Sequence, residues 1–287
     1  MDKTPKLKDR RSRGLGPVGI VSIVILSLVV ICSILAPVLS PYDPMQQDST
    51  SVFAAPSSAH LFGTDKFGRD VLSRILYGGR VSLLISFSAV GIAGVLGLLI
   101  GVPAGYFGGA LDIVVMRVME SVSVIPYILI AVLAAAANGF KAKGTAVAIG
   151  ISLLPEFAIW SRSLVLNIHG SGFLLTERAF GIKNAVIIFR HVIPNIIVQY
   201  MVKFTNAFSE AVLAATALGY LGYAVQPPHP EWGDMLAIGY NSIMNGRWWL
   251  MLFPGFMIII TIISVNLLGN DLSRIITGHT RREGGGK

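Results

Sequence analysis

The sequence predicts an all-α polytopic membrane protein with six transmembrane helices, and three observations carry that prediction. Hydrophobic residues fill 53% of the 287 positions and charged residues only 13%, where a water-soluble domain carries about a quarter charged residues. The mean hydropathy is +0.69. The apolar residues come in long uncharged blocks, and a hydrocarbon core about 30 Å thick takes roughly 20 apolar helical residues to cross. This composition excludes an ordinary cytosolic enzyme. The single cysteine, Cys32, lies inside one block, so neither an intrachain disulfide nor a Cys-based metal site can form. A net charge of +8 would suit a nucleic-acid binder, but the basic residues cluster at the ends of apolar blocks and no aromatic-studded basic stretch exists. The expected surroundings are therefore the lipid bilayer, with no nucleic-acid partner.

Four runs contain no Asp, Glu, Lys or Arg: residues 14–42, 81–111, 121–140 and 248–270. Two more qualify if a few charges are tolerated, namely 144–165, with Glu156 and Arg162, and 196–222, with Lys203 and Glu210. The first run follows Lys3, Lys6, Lys8, Arg10, Arg11 and Arg13 and could be taken for a secretory signal. It is about twice the length of a signal core and no small-x-small site closes it, so it is expected to be a retained helix ending near Pro37. The resulting plan is a basic tail (1–16), a first span (17–40), an outer segment (41–80), a core of five further spans (81–276) with an inner loop at 167–194, and a second tail (277–287).

Orientation follows from Lys and Arg in tails and loops. With six spans and the N-terminus inside, fourteen fall inside and seven outside, the latter being Lys66, Arg69, Arg74, Arg80, Lys141, Lys143 and Arg247. Both tails are expected to be cytoplasmic. The outer segment 41–80 is turn-rich and then amphipathic from Phe67 to Tyr77. The last outer loop carries Pro227, Pro228 and Pro230, then Trp232 and the pair Trp248 and Trp249, rings that favour the membrane interface.

Within the second span Gly97, Gly101 and Gly105 form a small-xxx-small row that suits close helix packing. Catalytic constellations are missing. The histidines His60, His169, His191, His229 and His279 show no metal-ligand spacing, and there is no nucleophile elbow. Residues 139–145 have the glycine spacing of a phosphate-binding loop without its lysine, so an ATPase, if needed, must be another chain. Intramembrane charges are costly and count as functional candidates. Arg117 and Glu120 are spaced to pair along one helix. Lys203 and Glu210 share one face of the fifth span, about two turns apart, and either line a watery pathway or anchor neighbouring helices.

The inner loop reads FLLTERAFGIKNAVIIFRHVIPN from Phe173. It parses as a short amphipathic helix stopped by Gly181, a second short helix with Asn184 as N-cap, and Pro194 near the start of the fifth span. Such a loop presents a knob with Phe180, Ile182 and Phe189 as apolar contacts and Glu177, Arg178, Lys183 and Arg190 as a charged rim, or else an interfacial helix on lipid headgroups.

The run from Leu175 to Pro194, with Gly181 and Pro194 thirteen apart and Arg190-His191-Val192-Ile193-Pro194-Asn195, resembles the "EAA" loop of bacterial ABC-importer permeases of dipeptide and oligopeptide systems. Three other stretches agree with the "C-type" subunit: His60 to Asp65 with Gly68 to Arg74; Ala104 to Gly109 with Asp112, Met116 and Arg117; and Gln226 to Pro228 with Pro230 to Gly233, followed by Phe253-Pro254-Gly255 and Asn266-Leu267. The resemblance covers roughly 16–277. It implies a permease that binds no cofactor itself, pairs with a paralogous permease, docks two cytosolic ABC ATPases holding ATP-Mg, and receives substrate from an extracytoplasmic binding protein.

The coupling residues it implies are Thr176, Glu177, Arg178, Ala179, Phe180, Gly181, Ile182, Lys183, Arg190 and Pro194. Pro227, Pro228, Glu231 and Trp232 are expected to meet the binding protein. The sequence departs from the family at Leu175, where a glutamate is usual, at Thr176 and Glu177, where alanines are usual, and at Ala214, where the fifth span often has an acid; the nearest acid here is Glu210. The expected substrate is a short peptide, with nickel or a metal chelate as the alternative. A stand-alone channel or secondary carrier would need no such docking loop.

Overall fold

The structure, a computed structural model, describes residues 15–137, 142–170 and 172–283, with side chains at all of these except Phe173, Leu175, Arg178, Ala179 and 276–283. The basic residues Lys3 to Arg13, Lys141 and the terminal Gly284 to Gly286 lie outside the described residues. Helix α1 (Pro17–Ile34) opens on a proline, whose missing N–H is no loss in a first turn. A single further turn, α2 (Ala36–Leu39), follows Leu35. A long loop then leads to α3 (Val71–Phe107), which starts ten residues before the charge-free run at 81. That boundary needs correcting: Arg80 closes the charge-free run, and Arg74 was placed in the outer segment. Arg74 is in fact buried, and its guanidinium donates to the carbonyls of Pro44 (3.0 Å) and Pro228 (3.2 Å).

Gly108, at φ +63°, turns the chain into α4 (Gly109–Ser123), followed by α5 (Tyr127–Ala137). The third span was expected as one straight helix over 121–140. It is instead broken, with α4 and α5 meeting at 89°. Pro126 is the physical cause: it supplies no N–H, and its ring disfavours helical geometry at Ile125. Helix α6 (Ala142–His169) returns along α3. Beyond α7 (Gly172–Ala179) and α8 (Asn184–Ile187), a π turn at Ile188–Val192 leads without interruption into α9 (Ile193–Tyr220). Helix α10 (Trp232–Ile243) lies across the end of the bundle and α11 (Trp249–Glu283) completes it. Five stretches are long and apolar enough to cross a membrane, or six if α4 and α5 together make one.

The most extensive helix pair is α3 with α6. The glycine row explains how close they come: a Cβ at Gly97 would stand 2.4 Å from Phe157 Cβ, and one at Gly101 would stand 2.2 Å from the Ala158 carbonyl oxygen. Phe157 is fully buried, Tyr200 of α9 donates its hydroxyl to the Gly94 carbonyl at 2.7 Å, and α9 thereby closes the central layer. Helix α1 packs on α11 at the margin, where the Gly16 N–H donates to Asp271 Oδ2 at 2.6 Å. The outward apolar residues of these two helices, among them Val21, Leu28, Ile31, Phe256 and Ile259, are exposed, as a lipid-facing surface requires. One end of the bundle gathers the 40–70 loop, α10 and the start of α11, here called the cap end. The other gathers the end of α3, α7 and α8, here called the knob end.

A side chain at Gly101 has nowhere to go, because the obstacle is backbone on α6. Gly101→Val is expected to cost at least about 1–3 kcal/mol through overpacking and to lower the thermal unfolding midpoint of the detergent-solubilised protein. Gly91→Val on the same helix has nothing within 4 Å of its new Cβ and should be tolerated. Equal midpoints for the two variants would show that α3 and α6 do not meet through this row.

Candidate coupling knob and transmembrane charge site

At the knob end, Gly181 follows α7 at φ +72°, and the Ile182 N–H donates back to the Glu177 carbonyl at 3.2 Å. This is a Schellman ending with glycine in the left-handed position. Phe180, which is 80% exposed, and Ile182 point away from the bundle at this turn, and Phe189 in the π turn is 68% exposed. Leu174, Ile187 and Val192 face the other way and are buried. The knob is therefore fixed by its inner face and apolar on its outer one. Thr176, Lys183, Arg190 and Pro194 are also exposed.

Three sequence expectations need correction here. Asn184 is the first residue of α8, and Lys183 is its N-cap; the Asn184 amide oxygen instead accepts from the Tyr106 hydroxyl at 3.0 Å and pins the knob to the end of α3. The second short helix is not separate, since the π turn joins it to α9. Pro194 cannot donate to the turn before it, and a wider turn accommodates that lost bond. Glu177 is not a free rim charge: its Oε1 lies 2.9 Å from His191 Nδ1 and its side chain is mostly buried. The side chains of Arg178 and Ala179 lie outside the described set.

The cap end is held by buried polar groups. Asp70 caps α3 by accepting from the Ser73 N–H and hydroxyl at 2.8 and 2.7 Å, and its other oxygen meets His60 Nδ1 at 3.0 Å. Arg69 and Arg74 both reach Asp65 Oδ2, at 2.7 and 3.6 Å. Sequence reasoning passed over this network, although Asp70 ahead of an apolar run is a helix-start signal. Trp232 and Glu231 also require correction, because neither offers a surface to a partner. Trp232 is fully buried and donates its ring N–H to the Ile75 carbonyl at 3.0 Å.

Glu231 caps α10, accepting from the Asp234 N–H at 3.0 Å and from the Ser82 hydroxyl at 2.7 Å. Burial with no cation in contact pushes its carboxyl up to about 7, against the lowering effect of these hydrogen bonds. Pro227 and Pro228 remain exposed. Beside them a cleft of about 1010 Å³ opens between the 37–46 segment, Tyr77 and Gln226 to Pro230.

Along the bundle, two of the basic residues find partners on other helices. Arg162 of α6 makes a two-point ion pair with Asp112 of α4, at 2.5 and 2.6 Å. Lys203 of α9 does not pair with Glu210 but with Glu156 of α6, Nζ to Oε2 at 2.5 Å. Arg117 and Glu120 pair along α4 at 3.5 Å, both exposed.

Comparison with known proteins decides the family. The family described as binding-protein-dependent transport system inner membrane component matches residues 97–282, and the N-terminal TM domain of oligopeptide transport permease C matches residues 17–56. The chain belongs to this family of ABC-transporter permeases. A dipeptide transport system permease protein of Alkalihalophilus pseudofirmus is 36% identical, aligned over 88% of this chain and 83% of its own. A di/tripeptide transport system permease protein of Pseudomonas aeruginosa is 37% identical over 85% and 82%. A probable D,D-dipeptide transport system permease protein of Escherichia coli is 33% identical over 91% and 87%. The permease family accounts for the polytopic helical architecture.

Glu231 gives the permease a pH dependence whose sign can be worked out. The folded chain binds this proton more tightly than an unfolded chain, whose glutamate titrates near 4.3. The contribution to stability is thus full below about pH 4 and is lost as pH rises towards 7. Thermal unfolding in detergent at pH 5 and pH 8 should show a higher midpoint at pH 5, and Glu231→Gln should shrink the difference. An undiminished difference in the variant would assign the effect elsewhere.

Proposed function

We propose that this chain is a membrane-spanning subunit of an ATP-driven importer of short peptides. It forms the translocation pathway with a paralogous permease and is driven by two cytosolic ABC ATPases, which hold ATP-Mg and seat on the 167–194 loop. The observation that carries this reading is the knob, with exposed Phe180 and Phe189 on a segment anchored from beneath by Leu174, Ile187 and the Tyr106–Asn184 hydrogen bond. An apolar knob with a basic rim at Lys183 and Arg190 suits insertion into a pocket on a partner. The peptide substrate is supported by the names of the relatives, which specify dipeptides and di/tripeptides, over the metal-chelate alternative.

The Lys and Arg bias puts the knob end and both tails in the cytoplasm. The cap end then faces the binding protein. Pro227 and Pro228, with the cleft beside them, are its proposed contact in place of Glu231 and Trp232. Lys203 and Glu210 are assigned to the pathway. Closure of the ATPase pair would push on the knob and shift the helices between two states, which requires the ATPases to contact the knob differently in each.

The test is Gly181→Val. No atom lies within 4 Å of the added Cβ, so the harm comes from φ +72°, which a β-branched residue resists. The variant should insert and pair with the second permease, yet either lose the ATPases on purification or hydrolyse ATP with uptake reduced at least about tenfold, a loss of about 1.4 kcal/mol in coupling. A variant complex that keeps its ATPases and transports at the parental rate would remove the knob from the mechanism.

A further inference from the structure

Midway along the bundle, Glu156, Lys203 and Glu210 stand where a bilayer would surround them. Glu156 is central in α6, its carboxylate nearly half exposed, and it bonds to Lys203 of α9. The polar residues of α9 recur at Asn195, Gln199, Lys203, Asn206 and Glu210, a spacing of three and four that keeps them on one face. Asn195 and Asn206 are exposed. Hydrocarbon cannot satisfy such a stripe, which suits a water-lined path.

The charges on this face do not balance. Lys203 is bonded to Glu156, while Glu210 Oε2 is buried with no hydrogen-bond partner. Glu210 stands two turns beyond Lys203 on the same face of α9, and α5, which opens on Tyr127, packs against both α6 and α9. Three packed helices, α5, α6 and α9, thus carry two carboxylates against one lysine, and Tyr127 packs against the same core. A purely structural ion pair would close on itself. What this arrangement lacks is a compact cation with several N–H donors, and a primary ammonium has that chemistry, with the phenol ring adding a favourable face for it.

We propose that Glu210, with Glu156 and the Tyr127 ring, is a subsite for the α-ammonium group of a peptide in transit, and that Lys203 sets the charge of the empty site by holding Glu156. The proposal rests on the peptide-permease reading, and it goes further by naming the group on the substrate that the membrane path recognises.

The assembled transporter, trapped with vanadate in lipid nanodiscs without its binding protein, can be titrated with radiolabelled Ala-Ala and with propionyl-alanine, which lacks only the amino group. Ala-Ala should bind at least tenfold more tightly. Glu210→Gln should abolish the difference, and Glu210→Asp should restore part of it. Equal binding of the two probes by the parental complex would overturn the subsite, as would a preference that survives Glu210→Gln. So would a complex that transports Ala-Ala yet binds none when trapped. The parental comparison stands even if the Gln variant fails to assemble. A parental complex that neither hydrolyses ATP nor transports any peptide would instead sink the reading of the chain as a peptide permease.

Discussion

The near-contact of the α3 and α6 backbones is the constraint from which the rest of the bundle follows. With glycines at 97 and 101, Phe157 and Ala158 come flush against α3, and the rotational setting of α6 is no longer free. A residue one position away along a helix is turned by about 100°, so fixing Phe157 and Ala158 inward turns Glu156 towards α9. Ala158 and Arg162 share a face, which sends Arg162 past the end of that contact to Asp112 on α4. Two ion pairs between helices are thereby placed by a packing interaction that involves no charge at all. Tyr200 then bridges back to Gly94 through its hydroxyl and locks α9 to the pair.

The two ends of the bundle are built on different physical principles. At the cap end the loop is long and has few backbone partners in regular structure, so it is held by buried side chains: Asp65 between two arginines, Asp70 on the start of α3, Glu231 on the start of α10. Breaking one partner of such a set leaves a buried charge unpaired, which costs several kcal/mol. The knob end adds backbone geometry, a left-handed glycine and a π turn, to a buried inner face and leaves apolar side chains in the open. A surface held from within by side chains keeps one shape, whereas an apolar projection on a stiff stem suits transient contact with a moving partner.

What the sequence made legible divides along the same line. Long uncharged runs located the spans because lipid imposes length and hydropathy directly, and Gly181 was readable because its conformation is a local property. The breaks were harder. Pro126 was in plain view, but a count of charges does not register a missing N–H. Trp232 was read as an outward aromatic because prolines and tryptophans near a span end look like an interface; the hydrogen bond to the Ile75 carbonyl is a contact 157 residues away and leaves no local trace. Lys203 was readable as a span charge that lines a path or anchors a neighbouring helix, while its partner Glu156 lies on α6 and only the setting of that helix reveals it.

The continuity of the knob with α9 connects these features mechanically. Residues 184–220 run as one rod with a π turn near its base, so the knob, Lys203 and Glu210 stand on one continuous element. The π turn is where such a rod can change its winding at small cost, since one carbonyl there is already without its usual donor. A small rotation at the base would alter how Lys203 is shared between Glu156 and the rest of the site, because the 2.5 Å contact joins α9 to the helix that the glycine row holds still. The fixed pair α3 and α6 and the movable rod α9 thus meet at a salt bridge.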